Sequence, residues 1–408
     1  MLNVVFDALL AADRGEVTLL CLLDLSTAFD TVDHDILIDR LQTAFSIHGT
    51  VLKYCHEFHL SWRTEYRQLL SLDQGRTHLT SSVVCHKVAF LVRCYLFYTP
   101  LRLPPSGHGG NHRHTVGAHS YADDTQLHIH RNAEDLESLI PHLITCIDEI
   151  NSWMSANHLK LNTNKTQFIL LCTRQQLVKV KRKSVSLDGV NIPFSDDVTC
   201  LGMVFDNDLN FSTHIKRLAG KCFYHLRQIS SVHHSISVDV AKTLVNAFIT
   251  SRIDNCNSIF SWVAVTQCRP LQSVLDAAAW LIIKKRKYDS ITATIRDVLH
   301  WLSIQQRIEY KVCDLAYKAM HHTAPVYLTE LCVPVSIHQG RANLRSATHG
   351  DLNVAANKGT TYGRRSFAVS GPTTWNVPSL SIREQSLSLG QFRSRLKTKL
   401  FNRAYYVA

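Results

Sequence analysis

The sequence predicts an α+β fold, with strand-like segments in its first half and helical patterning through its second. Three observations carry this. Val17 to Asp24 (VTLLCLLD) is a nearly continuous apolar run of strand length, as a buried central strand requires. Across residues 134–157, Leu136, Leu139, Ile140, Leu143, Ile144, Ile147 and Ile150 recur at the three-four spacing of an amphipathic helix. Beyond Leu201 the same spacing marks helices at 213–231, 237–250, 270–286, 290–301 and 305–322.

Taken in order, residues 3–12 read as the end of an amphipathic helix that Gly15 breaks. After the apolar strand, a helix is expected from about Asp33 to Phe45. Residues 71–120 have another texture: periodicity fades, and Pro104, Pro105, Gly107, Gly109 and Gly110 crowd together among histidines. Organised structure is expected to resume at Tyr121. Gln167 to Cys172 (QFILLC) reads as a strand, and Lys179 to Lys183 with Asp188-Gly189 as a basic hairpin. The last seventy residues are loop-rich and end in a basic helix, Gln391 to Phe401. There is no internal repeat.

The 408 residues include 45% hydrophobic ones, which argues against a disordered chain. Lys and Arg number 44 against 33 for Asp and Glu, a net charge of +11 that favours a polyanionic partner such as nucleic acid. A basic protein with no such partner is the alternative. The 12 cysteines form no C-x-x-C pair, which suggests buried thiols in a reducing compartment. Asp7 and Asp13 interrupt the N-terminal apolar stretch, unlike a signal peptide, and the longest apolar run, Val17 to Leu23, is too short to span a bilayer. A cytoplasmic or nuclear protein with no membrane partner is expected.

The sharpest chemical signal is a set of carboxylates on strand-like segments. Asp24 ends the apolar run, and Asp123 and Asp124 lie in Ser120-Tyr121-Ala122-Asp123-Asp124. A carboxylate at the end of a buried strand is costly unless it is neutralised. Divalent cations would do this, and hard oxygen ligands suit Mg²⁺. Two such ions, roughly 3.5–4 Å apart, activate a hydroxyl and stabilise a leaving pyrophosphate. Taken alone, an Asp-Asp pair also fits a turn or a helix cap, as Asp30, Asp33 and Asp35 do.

The neighbouring sequence favours the metal reading. Leu22 to His34 (LLDLSTAFDTVDH) resembles motif A of LINE-type (non-LTR) retrotransposon reverse transcriptases, and SYADDTQL resembles motif C. Trp153 to Thr166 (WMSANHLKLNTNKT) resembles motif D, and Cys200-Leu201-Gly202 followed by Val204-Phe205-Asp206 resembles motif E, the primer grip. The motifs occur in family order. Three later stretches, SRIDNCNSI, DVLHWLSIQQRIEYKVCDLAYKAMH and SFAVSGPTTWNVPSL, resemble the C-terminal region of these elements.

The resemblance implies a right-hand polymerase palm, an antiparallel sheet backed by helices, over residues 1–206. A mainly helical thumb and C-terminal region would follow over 207–330, with a loop-rich tail over 331–408. The helix at 134–157 would pack beneath the Tyr121–Asp124 hairpin. The implied activity is RNA-directed DNA synthesis on an RNA template and DNA primer, using deoxynucleoside triphosphates and two Mg²⁺ ions. Asp24 and Asp123 would be the main metal ligands, with Asp124 assisting. Phe29 stands at the steric-gate position that selects deoxynucleotides; ordinary core packing is its other reading. Lys165 matches the motif D lysine, a proton donor or charge stabiliser for pyrophosphate; its other reading is a solvated surface lysine. The aromatic at position 29 and YADD in place of G-D-D argue against an RNA-dependent RNA polymerase.

Two basic clusters, Lys179, Lys181, Arg182, Lys183 and Lys284, Lys285, Arg286, Lys287, are candidates for template-primer phosphates. Solvated faces are the alternative for both, or a nuclear-localisation patch for the second. The histidines between 108 and 119 have no cysteines at zinc-finger spacing.

The chain departs from the family where motif B (V-P-Q-G-S-x-L-G-P-L-L-F) is expected. It carries Val84 to Phe97, VCHKVAFLVRCYLF, instead. Codons permitted for this stretch, regrouped from the third base of the Val84 codon, can encode V-P-Q-G-S-V-L-G-P-L-L-F. The reading is a frame slip spanning roughly residues 80–119, or a gene model spliced around a defect, and such a segment should pack poorly. The chain also starts just before motif A, so the fingers that hold template and nucleotide are expected to be missing. A non-catalytic remnant that at most binds nucleic acid through its basic patches is therefore the alternative to a working polymerase.

Overall fold

The computed structural model describes residues 2–26, 42–43, 49, 116–121, 124–156, 159–283, 290–337, 340, 349–359, 361–384 and 386–406. The helix expected at 33–45 and the stretch 84–97 fall essentially outside them. The chain divides into two compact units, one of Thr18–Leu170 with Val178–Asp196, the other of Met1–Val17, Leu171–Leu177 and Asp197–Ala408.

The first unit is built on a sheet. Its strands are β1 (Val17–Leu23), β2 (Leu25–Ser26), β3 (Gly117–Tyr121), β4 (Asp124–Arg131), β5 (Lys160–Leu161), β6 (Gln167–Leu171), β7 (Ser184–Leu187) and β8 (Val190–Ser195). Six of them form one sheet in the order β3-β4-β1-β6-β8-β7, while β2 and β5 make a separate antiparallel pair. The β3–β4 and β7–β8 pairs are antiparallel, and β6–β8 is parallel. The apolar run is thus a central strand, with Leu19, Leu20, Cys21 and Leu23 buried.

Strand β3 begins at Gly117, ahead of the expected Tyr121. Gly117 lies opposite His128, and a Cβ there would come within 2.4 Å of the imidazole, so this position requires glycine. At the β7–β8 turn, Asp188 and Gly189 take φ of 49° and 76°, the two left-handed residues of a tight hairpin, which Asp-Gly supplies at low strain.

Helix α1 (Leu2–Arg14) belongs to the second unit; helix α2 (Leu136–Ala156) belongs to the first and packs on β4. Leu136, Leu139, Ile140, Leu143, Cys146, Ile147, Ile150 and Met154 are the buried stripe of α2. Each large apolar side chain so buried contributes roughly 1.5–3 kcal/mol. Pro141 lies inside the helix and is exposed; the carbonyl it leaves without an N–H partner, that of Glu137, is on the wet face too.

The second unit is mainly helical. It opens its long C-terminal part with the hairpin β9 (Asp197–Cys200) and β10 (Met203–Asp206), closed by Leu201-Gly202. The main helices are α3 (Ser212–Val232), α4 (Val238–Val245), α5 (Val265–Ile282), α6 (Ile304–Met320), α7 (Phe367–Trp375) and α8 (Leu389–Tyr405). Helix α3 packs on α5 and α6 on α7 and α8, which buries Cys222, Leu271, Val312 and Phe392 between them. Ser388 and Gln391 form a reciprocal capping box that fixes the start of the basic helix α8. Within this unit α1 docks on the C-terminal part: Phe6 stacks on Phe367, and the Asp13 carboxylate accepts hydrogen bonds from the backbone N–H groups of Lys358 (2.7 Å), Gly359 (2.8 Å) and Gly363 (3.2 Å). Of the nine described cysteines, all but Cys256 are buried. No described helix is long and apolar enough to cross a membrane.

Candidate active site

Asp24 sits where β1 gives way to β2, at the point where the buried strand reaches solvent, and its side chain is half-buried. The β2–β5 pairing sets Leu25 opposite Leu161 and Ser26 opposite Lys160. The Asp24 carbonyl accepts a hydrogen bond from Asn162 N at 2.8 Å. Asn162 then organises the next turn: its carbonyl accepts from Lys165 N (3.1 Å), Thr166 N (2.9 Å) and Thr166 Oγ1 (3.0 Å). That turn delivers the Lys165 ammonium to 3.5 Å from Asp24 Oδ2. Both groups are partly solvated, so the pair is worth at most about 1 kcal/mol to stability. Its consequence is placement: a cation is held at the mouth of the site.

Asp124 is exposed and opens β4 opposite Tyr121. Neighbouring strands β1 and β4 are further linked by Thr18 Oγ1 and His130 Nδ1, 2.7 Å apart. This contact joins the start of β1 to the end of β4. A parallel pairing through it would leave only the extreme ends of the two strands side by side, so the strands run in opposite directions. The end of β1, with Asp24, and the start of β4, with Asp124, therefore share one edge of the sheet. Asp123 and Phe29 lie outside the described residues, as do Lys284, Lys285, Arg286 and Lys287.

On β4, His128 and His130 are two residues apart and share a face. His128 stacks against His119 of β3 with ring centroids 5.4 Å apart, and His130 packs against it at 5.1 Å. Burial, with His130 and His119 adding to it, pushes His128 down to about 3, so the ring is neutral at ordinary pH. The His-x-His spacing of His128 and His130 on a strand is the sequence signal for this stack, and His119 is the one member of it among the histidines between 108 and 119.

Lys179, Lys181 and Lys183 are exposed around buried Val180. Arg182 turns inward, its Nε donating to the Ser184 carbonyl at 2.8 Å, so the described cluster presents three free-standing ammonium groups beside the β7–β8 hairpin.

Residues 4–205 match the family model for reverse transcriptase (RNA-dependent DNA polymerase). This segment is a reverse transcriptase domain. The chain is also 26% identical over 224 residues to a probable RNA-directed DNA polymerase from transposon BS of Drosophila melanogaster, across 54% of this chain and 23% of that protein. The chain thus spans less than a quarter of the length of that curated relative. Within the reverse transcriptase domain, the sheet edge offers hard carboxylate oxygens at Asp24 and Asp124, partly exposed and balanced on one side by Lys165. Carboxylate oxygens are hard donors, the kind that suits Mg²⁺, Ca²⁺ or Mn²⁺.

Proposed function

We propose that the reverse transcriptase domain is an RNA-directed DNA polymerase of the LINE type, using the two-metal mechanism, with activity in this chain impaired by the frame-slipped stretch at 80–119. The sheet unit is read as the palm and the helical unit as the thumb and C-terminal region, with boundaries near 206 and 330. The observation that carries the reading is the Asp24–Lys165 pair at the sheet edge shared with Asp124.

Asp24, Asp123 and Asp124 would hold two Mg²⁺ ions, which supply Lewis-acid stabilisation of the attacking and leaving oxygens. Lys165 would offer its ammonium, or a proton from Nζ, to the departing pyrophosphate. Phe29 would crowd a ribose 2′-OH and select deoxynucleotides. The β9–β10 hairpin would hold the DNA primer, and the exposed Lys179, Lys181 and Lys183, with Lys284, Lys285, Arg286 and Lys287, would track the RNA template and primer phosphates. Losing motif B removes the surface that orients nucleotide against template, and orientation supplies a large share of any rate gain.

Primer extension on poly(rA)/oligo(dT) with Mg²⁺ tests this. The chain as it stands should extend weakly, and one carrying VPQGSVLGPLLF in place of the slipped stretch should extend strongly. If neither exceeds an Asp123→Ala control, the polymerase reading fails. The three exposed ammonium groups at 179–183 favour a second reading, a non-catalytic nucleic-acid binder. A salt titration that finds no RNA binding even at low salt would remove it.

A further inference from the structure

The helical unit contains a cavity of about 310 Å³ that the polymerase reading does not use. It lies between the residues around Asn257, the start of α6 and the outer face of α8. Arg307 and Lys311, one turn apart on α6, and Lys397 on α8 bring three cations to it, against one carboxylate, Asp254. Asp254 already engages Arg307, whose Nη1 is 2.8 Å from Asp254 Oδ2 and whose Nε donates to the Leu302 carbonyl at 3.0 Å. Arg307 is thereby fixed, and Lys311 and Lys397 keep uncompensated charge in the lining.

A second, independent feature is polar. Asn257 is 3% exposed and lines the cavity. Its Nδ2 donates to Asp254 Oδ1 at 3.3 Å, while its Oδ1 is buried and accepts no hydrogen bond. A buried acceptor left unsatisfied is destabilising, and a ligand donor that reached it would relieve this. The third feature is aromatic. Trp301 lines the same cavity and packs against the cluster of Ala279, Ile291 and Ile295, while its carbonyl accepts from Tyr405 Oη at 3.0 Å.

An excess of cations, a buried acceptor and a packed tryptophan in the lining ask for a ligand with an anionic group, a hydroxyl or amine donor and a flat ring. We propose that this cavity binds a single nucleoside 5′-phosphate, free or at the end of a strand. The phosphate takes Lys311 and Lys397, a sugar or base donor satisfies Asn257 Oδ1, and the base lies against Trp301. The volume is at the small end of ligand cavities, which suits one nucleotide and no more. The proposal is independent of the polymerase reading, since Asp24, Asp123, Asp124 and Lys165 take no part.

The test is titration of the full chain with AMP, inorganic phosphate, and a short RNA carrying either a 5′-phosphate or a 5′-hydroxyl, followed by calorimetry and tryptophan fluorescence. AMP should bind with quenching that Trp301→Phe abolishes, and K311A and K397A should each weaken it at least tenfold. K399A, on the same helix but outside the lining, should leave it unchanged. Tighter binding of the 5′-phosphorylated RNA than of AMP assigns the site to a strand end, and equal binding assigns it to the free nucleotide. Binding of inorganic phosphate as tight as AMP, or AMP binding indifferent to K311A and K397A, overturns the proposal. An Asp123→Ala chain should bind AMP like the unaltered one, so loss of polymerase activity and loss of this site are read separately.

Discussion

Lys165 Nζ lies 3.5 Å from Asp24 Oδ2, brought there by a turn that Asn162 pins with its own carbonyl. The two residues belong to different motifs, and the short β2–β5 pair is what joins them. In a chain with motif B restored, Lys165→Ala should lower the rate of primer extension by about 10–100-fold, in the range of losing one charge-stabilising donor. Stability should change by less than about 1 kcal/mol, because the pair is partly solvated. Single-turnover extension and urea unfolding of the same variant check both halves. A rate loss matched by an equal loss of folded protein would reduce Lys165 to a structural residue.

Acid should destabilise the fold through two buried histidines. His214 Nδ1 accepts the Val204 N–H at 3.2 Å, which requires an unprotonated ring nitrogen, and burial lowers it to about 4, with Lys221 adding. His128 is lowered to about 3, chiefly by burial. Between these values and 6.5 the unfolded chain binds protons that the folded chain does not. Stability present above pH 6.5 is therefore lost as pH falls, by at most about 1.4 kcal/mol per unit for each histidine. Urea midpoints at pH 7, 6 and 5 should decline in order, and His214→Gln should flatten part of the slope. A midpoint that rises on acidification would contradict this.

Asp13 accepts three backbone N–H groups from the segment 358–363. Asp13→Ala should leave these donors without their acceptor and cost about 2–3 kcal/mol. Asp13→Asn keeps one acceptor oxygen and should cost less. Hydrogen exchange at Lys358, Gly359 and Gly363 should speed up in both, most in the alanine variant; unchanged protection there would refute the clamp.

Arg393 makes a two-pronged contact with Asp314, at 2.6 and 3.1 Å, and Asp314 is 2% exposed. Removing one partner of a fully buried ion pair costs about 3–5 kcal/mol. Here Arg393 is partly solvated and Lys318 stays 3.4 Å from the same carboxylate, so Arg393→Ala should cost less, about 2 kcal/mol. Arg393→Lys should recover only part of this, since lysine lacks the planar fork. Thermal unfolding of the two variants checks the order.

Several elements were legible because they are written in local spacing. The apolar run ending at Asp24 became the central strand β1, and the stripe from Leu136 to Ile150 became the buried face of α2. The five helices expected beyond residue 201 have counterparts at nearly the expected places, since burial against neighbours preserves three-four spacing. The Asp188-Gly189 dipeptide gave its hairpin through backbone conformation alone. The early start of β3 was not legible: Gly117 earns its place by fitting beneath a ring eleven residues further on, in the next strand.

The residue order by itself determined the apolar strand that Asp24 ends, the buried stripe of α2, the Asp-Gly hairpin and the helices of the second half, and that the chain carries excess positive charge. Tertiary structure alone decided which distant residues come together: Lys165 with Asp24, Asp13 with the backbone of Gly359 and Gly363, and Asn257 with the cations of α6 and α8 around one cavity. The reason is physical. Periodicity and turn chemistry act over a few neighbouring residues, whereas a contact between distant ones exists only after loops close and many weak apolar contacts choose one packing among several.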